Sequence, residues 1–138
     1  MAASADRATP IRGPEGGMRR RRYPQKGSTT IYKGTIVMIL AGYLAPAADT
    51  SGGLVVGVAE ETVVNAGADG ATTVNVVCGA SFRFAGSGVV AADVGKTCYV
   101  ADDVTVADTD PGNTVVAGVV DELESTNVVW VRIEGKVS

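Results

Sequence analysis

Short apolar runs separated by turn sequences fill the chain from residue 30 onward. In residues 72–78 and 127–134, apolar side chains recur at every second position, which is typical of strands with one buried face. The second segment places Val129, Val131 and Ile133 toward the core and Val128, Trp130 and Arg132 on the opposite face. No segment keeps a helical period beyond one or two turns. The pattern therefore predicts a chain of short β-strands.

One strand pattern occurs twice. Residues 54–61 read LVVGVAEE, and residues 115–122, which lie 61 positions later, read VVAGVVDE. The same offset relates Gly34 to Gly95 and Gly57 to Gly118. Self-similarity at a fixed period indicates internal duplication, and we favour it over chance alignment in a chain rich in glycine and valine. Residues 54–60 are also too apolar for a strand with one solvated face, so both faces are expected to be covered.

Length and composition favour one all-β domain with a tail. A chain of 138 residues fits a single domain, and its abundant valine, threonine and glycine are typical of strands and turns. Turn signals recur about every eight to twelve residues. We predict a small β-sandwich or barrel made of two related β-units, with an extended N-terminal arm.

The start of the chain has a different composition. Residues 1–33 contain eight basic residues and two acids, a net charge of +6, whereas residues 34–138 carry a net charge of −9. Proline and glycine punctuate residues 1–29, and no apolar period appears there. We predict an extended basic arm at residues 1–29, disordered until it meets a partner surface, and a β domain at residues 30–138.

Candidate chemistry is sparse. The chain has no histidine for general-base work, and its aspartates at positions 102, 103, 108 and 110 fit no EF-hand spacing, so ordinary turn chemistry is favoured over a cation site. Cys78 and Cys98 lie in apolar runs, which favours buried thiols over a disulfide. We predict a protein that is not an enzyme, with no catalytic residues, cofactor or metal.

A basic cluster and an aromatic strip are the candidate protein-interface residues. The cluster consists of Arg19, Arg20, Arg21 and Arg22, followed by Tyr23. It could bind nucleic acid through phosphates, remain solvated, or dock on an acidic protein surface, and charge complementarity with an acidic body favours docking. Trp130 and Arg132 are residue types favoured at interfaces. Trp130 fits equally well as core on the second face of its strand.

A stretch that imitates a signal peptide is interpreted differently. Basic residues 19–22, apolar residues 36–40 and an Ala-Pro-Ala sequence at 45–47 follow the order of such a peptide. The apolar run at 36–48 is interrupted by Gly42 and Pro46 and is too short to span a bilayer. We expect a protein made in the cytoplasm and neither secreted nor inserted in a membrane.

Several short glycine-centred motifs resemble one family. They are Gly34-Thr35-Ile36-Val37, Gly57-Val58-Ala59, the strand at residues 74–79, the sequence VGKTCYV at 94–100 and AGVV at 117–120. Over residues 30–135 they look like the small capsid cement, or head decoration, proteins of tailed phages. The arm at residues 1–29 lies outside the resemblance.

The resemblance implies a structural protein of the virion. Such a protein binds the outer surface of the assembled capsid and stabilises it, its partners being the major capsid protein and neighbouring copies of itself, often in a homotrimer. The arm would then reach onto neighbouring subunits. A nucleic-acid-binding module using residues 19–22 is the alternative function, with nucleic acid the less favoured partner.

Overall fold

The computed structural model describes residues 3–12 and 18–134, and these form thirteen strands and one short 3-10 helix. The all-β prediction is confirmed. The helix covers Ala91–Asp93. In chain order the strands are β1 (Ile11–Arg12), β2 (Arg19–Pro24), β3 (Thr29–Ile31), β4 (Ile36–Leu40), β5 (Tyr43–Pro46), β6 (Leu54–Ala59), β7 (Val63–Asn65), β8 (Thr73–Cys78), β9 (Ala80–Ser87), β10 (Thr97–Asp102), β11 (Thr105–Ala107), β12 (Val116–Ser125) and β13 (Val128–Ile133).

The C-terminal half of the chain forms a closed five-stranded barrel. Its strands follow the order β9, β11, β10, β12, β13, and pairing of β13 with β9 closes the ring. All neighbours are antiparallel except β9 and β11, which are parallel. Strand β1 lies antiparallel on β9, outside the ring. Closure removes the free edges of this sheet.

The N-terminal half repeats this arrangement in a less closed form. Its five-stranded sheet has the order β2, β8, β6, β4, β5. The two edge strands approach each other at one end, where Gln25, next to β2, forms a parallel bridge with Leu44 of β5. The backbone N–H of Lys26 also donates to the Leu44 carbonyl at 2.8 Å. We call residues 19–78 the first unit and residues 80–133 the second unit.

Strand register establishes that the two units are related. In the first unit Val37 pairs with Gly57, and the ladder then shifts before Met38. In the second unit Cys98 pairs with Gly118, and the ladder shifts at the corresponding place. The backbone N–H of Gly34 donates to Ala59 at 2.9 Å, just as that of Gly95 donates to Val120 at 2.8 Å. The predicted duplication is therefore confirmed, with its offset of 61 residues.

The duplication also extends beyond the segment that the sequence revealed. Tyr23 of β2 pairs with Val74, and Phe84 of β9, 61 positions after Tyr23, pairs with Val129. Strand β2 therefore occupies in the first unit the place that β9 occupies in the second. After β6 the offset falls to 55 residues, since the first unit carries an excursion in which β7 pairs with β3. In the second unit a tight hairpin joins β12 directly to β13.

Close contact between strands accounts for the repeated glycine. Gly57 and Gly118 each lie against the carbonyl oxygen of the next strand, that of Val77 and of Arg132 respectively, and a Cβ at either glycine would clash with it. Only glycine permits such an approach. The apolar-Gly-apolar motif that repeats in the sequence thus marks a close approach between neighbouring strands in each unit.

Two apolar clusters fill the molecule, and strand β6 separates them. Val56 and Ala59 face a small cluster inside the first unit, whereas Val55 and Val58 face a larger cluster that continues into the second barrel. The expectation that both faces of this strand are covered is confirmed. Residues of the small cluster have apolar counterparts inside the second barrel, namely Val37 with Cys98, Leu44 with Val106, Val56 with Ala117, Val74 with Val129 and Val76 with Val131.

The expectation of an arm that is unstructured without a partner needs correction. Residues 11–12 and 19–24 form strands on the chain's own β9 and β8. The entire length of β2 pairs with β8, so part of the predicted arm belongs to the first unit. Main-chain hydrogen bonds hold β2, and these need no apolar pattern in the sequence. Residues 1–2 and 13–17 of the predicted arm lie outside the described part.

Candidate interaction surface

Residues 3–12 form a strap across the seam between the two units. The backbone N–H of Ala3 donates to Asp103 Oδ1 at 2.9 Å, on the second unit, while that of Arg7 donates to the Lys33 carbonyl at 2.9 Å, on the first. The Thr9 hydroxyl then donates to the carbonyl of Gly34 at 2.5 Å. The strap ends in β1, beside β9. It therefore ties the units together within a single chain.

The strap covers Trp130. The guanidinium carbon of Arg12 lies 3.7 Å from the centre of the Trp130 ring, and only 6% of the tryptophan is exposed. The indole N–H donates to Glu124 at 3.0 Å, and Arg12 forms an ion pair with Glu122 at 2.6 Å. Trp130 does lie on the outer face of its strand as predicted. Of its two predicted roles, packing on the second face of the strand agrees with this burial, because a segment 118 positions earlier covers the ring.

A polar network surrounds this stacked pair. The Arg83 guanidinium donates two hydrogen bonds to the Glu124 carboxylate, at 2.9 and 3.1 Å. Hydrogen bonds from Trp130 and Arg83 hold the pKa of the Glu124 carboxyl below its usual value. Glu124 therefore remains a charged acceptor that fixes both the indole and the guanidinium. This network explains the position of Trp130 without any partner protein.

The arginine cluster lies exposed along β2 and contacts acidic and polar groups of its own chain. Arg20 pairs with Glu60 at 2.8 Å, and Arg19 donates to the Glu134 carbonyl at 2.7 Å. Arg22 donates to the side chain of Asn75 at 3.3 Å, whereas Arg21 is exposed. Part of the positive charge of this cluster is therefore paired with acidic residues of its own chain.

Tyr23 is placed differently from the arginines. Its ring packs against the small apolar cluster of the first unit. Burial raises the pKa of its hydroxyl. Tyr23 corresponds to Phe84 of the second unit, so its packing role follows from the repeat.

Arg132 borders an exposed apolar surface that the sequence analysis did not identify. Leu54, Val94, Val116 and Val119 are between 42% and 47% exposed. Two adjoining grooves, about 380 and 390 Å³ in volume, share Val119, Arg132 and Glu134 in their walls. We call this surface the seam patch, defined by Leu54, Val94, Val116, Val119 and Arg132. Exposed apolar grooves with a polar rim are typical of protein interaction sites.

Local geometry explains the charged rim of the seam patch. Arg132 makes two hydrogen bonds to Glu134, at 3.1 and 3.3 Å, which hold its head at the edge of the grooves. Its aliphatic stem can cover apolar surface while its head stays in water. The patch therefore presents valine and leucine side chains beside a paired positive and negative charge. Such a surface suits a partner that is mainly apolar.

The aspartates near residue 110 support turns. Asp110 accepts hydrogen bonds from the backbone of Gly112 at 2.8 Å and of Thr114 at 2.9 Å. Asp103 is buried and accepts the Ala3 N–H, and burial raises its pKa. Within residues 3–12 and 18–134, no three metal-ligating side chains lie close enough together to hold an ion. The interpretation of this cluster as turn chemistry agrees with these contacts.

Both cysteines are free and buried, as the sequence favoured. The Cys98 thiol lies inside the second barrel, 3.6 Å from the Gly118 carbonyl, and burial raises its pKa to about 12. It is therefore a protonated core side chain near neutral pH. Across the described ranges, no helix has the length and hydropathy needed to span a bilayer.

Comparison with known proteins gives a structural similarity but no relative by sequence. No protein-family model matches the chain, and neither does any curated protein sequence. The N base of head fiber gp8.5 from bacteriophage phi29 is similar in structure, with a TM-score of 0.44 and 18% sequence identity over 87% of this chain and 99% of that one. A similarity of this size carries no argument about the function of this chain.

Proposed function

We propose that this chain is a structural protein of a phage head, without enzymatic activity, that binds the outer surface of the assembled capsid and stabilises it. The seam patch is the observation that carries this proposal. Four large aliphatic side chains stay more than 40% exposed although the molecule buries two apolar clusters elsewhere. An apolar surface with a charged rim is a form that protein interaction sites commonly take. The sequence resemblance to phage cement proteins supplies the class of partner.

The mechanism is reinforcement by many weak contacts. Each copy covers a junction between shell subunits with the seam patch, and Arg132 with Glu134 sets its orientation at the rim. Copies associated as homotrimers would bind the shell at three points. Once one patch has bound, the others re-bind at high effective concentration, so modest contacts give stable attachment.

The strap contributes in an indirect way. Its described residues lie on their own chain, where they fix the two units relative to each other. A rigid pair of units holds the seam patch in one shape, and this lowers the entropy lost on docking. In this proposal the described part of the arm thus acts on its own chain, and contact with neighbouring subunits is made by the outward-facing side chains of residues 19–22.

Binding to purified heads that lack the chain tests the proposal. Val119→Lys places a charge at the centre of the seam patch, whereas Val64→Lys changes a valine that is 62% exposed on β7 and outside the patch. We expect the wild-type chain and Val64→Lys to co-sediment with heads and to raise their disruption temperature. Val119→Lys should lose both effects. Equal binding by the two variants would show that the patch is not the docking surface.

A further inference from the structure

The strap forms one wall of a groove on the first unit. Arg7, Ala8, Thr9 and Ile11 line one side of this groove, which has a volume of about 380 Å³. The first unit supplies the other side, through Lys33, Gly34, Val58, Ala59, Glu60 and Val77. Gly34 is essential here, since a Cβ at this position would meet the Arg7 carbonyl. This contact shows how an extended segment can dock on one unit of the fold.

The second unit has the same groove, position for position. Its walls are Val94, Gly95, Val119, Val120, Asp121 and Arg132, with Glu134 at the edge. The first five lie 61 residues after Lys33, Gly34, Val58, Ala59 and Glu60. Arg132 takes the place of Val77, because Val119 pairs with Arg132 as Val58 pairs with Val77. A side-chain hydrogen bond beside the groove corresponds as well. Ser81 donates to Asp121 in the second unit, and Arg20, 61 positions before Ser81, donates to Glu60 in the first.

The two grooves differ in that the strap covers the first, whereas no segment among the described residues covers the second. A Cβ built on Gly95 meets no atom within 4 Å, whereas one on Gly34 meets the strap. Val94 and Val119, which form the open walls, are 47% and 42% exposed. The second unit thus keeps a preformed place for an extended segment that the described part of the chain leaves open.

We propose that the groove of the second unit binds an extended segment of a partner protein, in the manner in which the strap binds the first unit. The strap defines the chemistry of that segment. A backbone N–H of the segment donates to the Val94 carbonyl, as that of Arg7 donates to Lys33. A serine or threonine two residues later in the segment donates to the Gly95 carbonyl, as Thr9 donates to Gly34. Asp121 and Glu134 outnumber Arg132, so a neutral or cationic segment is favoured over an acidic one.

A strap from a second copy is the less favourable occupant. Each chain has one strap, and it already binds the first unit of its own chain through Ala3, Arg7 and Thr9. An intramolecular segment competes at an effective concentration of about millimolar. A second copy would have to break those contacts to reach the open groove. The choice of the shell protein as the source of the segment rests on the proposed function.

A synthetic peptide of residues 3–12, ASADRATPIR, is the probe for the open groove. Titration into the full chain, followed by isothermal calorimetry, should show saturable binding of one peptide per chain. Val119→Lys should weaken that binding about tenfold or more, which corresponds to roughly 1.4 kcal/mol. Val64→Lys should leave it unchanged, and a peptide with Thr9 replaced by valine should bind more weakly than the original.

Three outcomes would overturn the inference. They are no binding at millimolar peptide, binding that Val119→Lys does not weaken, and displacement of the chain's own strap, seen as a change in Trp130 fluorescence. Concentration-dependent self-association abolished by Val119→Lys would assign the groove to a second copy. Peptide binding without binding to heads would retain the groove and refute the proposed function. Head binding without peptide binding would retain the proposed function and refute the inference about the groove.

Discussion

Replacement of Arg12 tests whether the strap docks as described. Trp130 is the single tryptophan of the chain, so its fluorescence reports on this contact alone. Arg12→Gln removes the guanidinium that lies 3.7 Å from the ring centre. A cation–π contact at a partly desolvated site is worth about 1 kcal/mol. The ion pair with Glu122 adds little, because both side chains are about half exposed.

We therefore expect Arg12→Gln to lower the free energy of unfolding by about 1 kcal/mol, or roughly 4 °C in Tm. Trp130 emission should shift to longer wavelength, and acrylamide should quench it more efficiently, as water reaches the uncovered ring. Arg22→Gln is the matched control, since Arg22 is exposed and donates only to Asn75 among its described contacts. Unchanged quenching in Arg12→Gln would refute the docking of the strap on Trp130.

Three further predictions concern the units themselves. Gly118→Ala should destabilise the chain by about 2 kcal/mol or more in denaturant unfolding, because its Cβ would clash with the Arg132 carbonyl. A cost no greater than that of Gly67→Ala, whose Cβ would make only ordinary contacts, would contradict this. Glu124 has a lowered pKa, so its stabilisation is present above the ordinary value of 4.5 and is lost as pH falls through the folded-state pKa. Unfolding of Glu124→Gln should accordingly lack that part of the acid dependence, and an unaltered profile would count against the Trp130–Glu124–Arg83 network. Cys98, with a pKa of about 12, should resist thiol reagents at pH 8 until the chain is unfolded, and rapid labelling of the native protein would show that the barrel core is open.

The duplication could be predicted from sequence because glycine marks it. Gly57 and Gly118 permit a contact that no other residue allows, so the motif persists in both copies. The first strand of each unit carries no such mark. Strand β2 reads RRRRYP and β9 reads ASFRFAGS, and Tyr23 with Phe84 is their one pair of corresponding aromatic residues. Main-chain pairing places β2 in the sheet, and composition carries no signal for that pairing.

The surroundings of Trp130 and of the seam patch could not be predicted for a different reason. Alternation correctly assigned Trp130 to the outer face of β13, but Arg12 covers it from a distant part of the sequence. The valines of the seam patch follow the same apolar pattern as buried valines, so periodicity could not separate them. Val94 and Val119 are exposed because, among residues 3–12 and 18–134, no segment covers the second unit as the strap covers the first.

A cryo-electron microscopy reconstruction of heads reconstituted with this chain tests the central claim most directly. The account predicts density for both barrels on the outer surface of the shell, with Leu54, Val116 and Val119 facing a shell subunit. Density that left this surface in solvent and attached the chain by another face would contradict it, as would heads that carry no such density at saturating chain concentration.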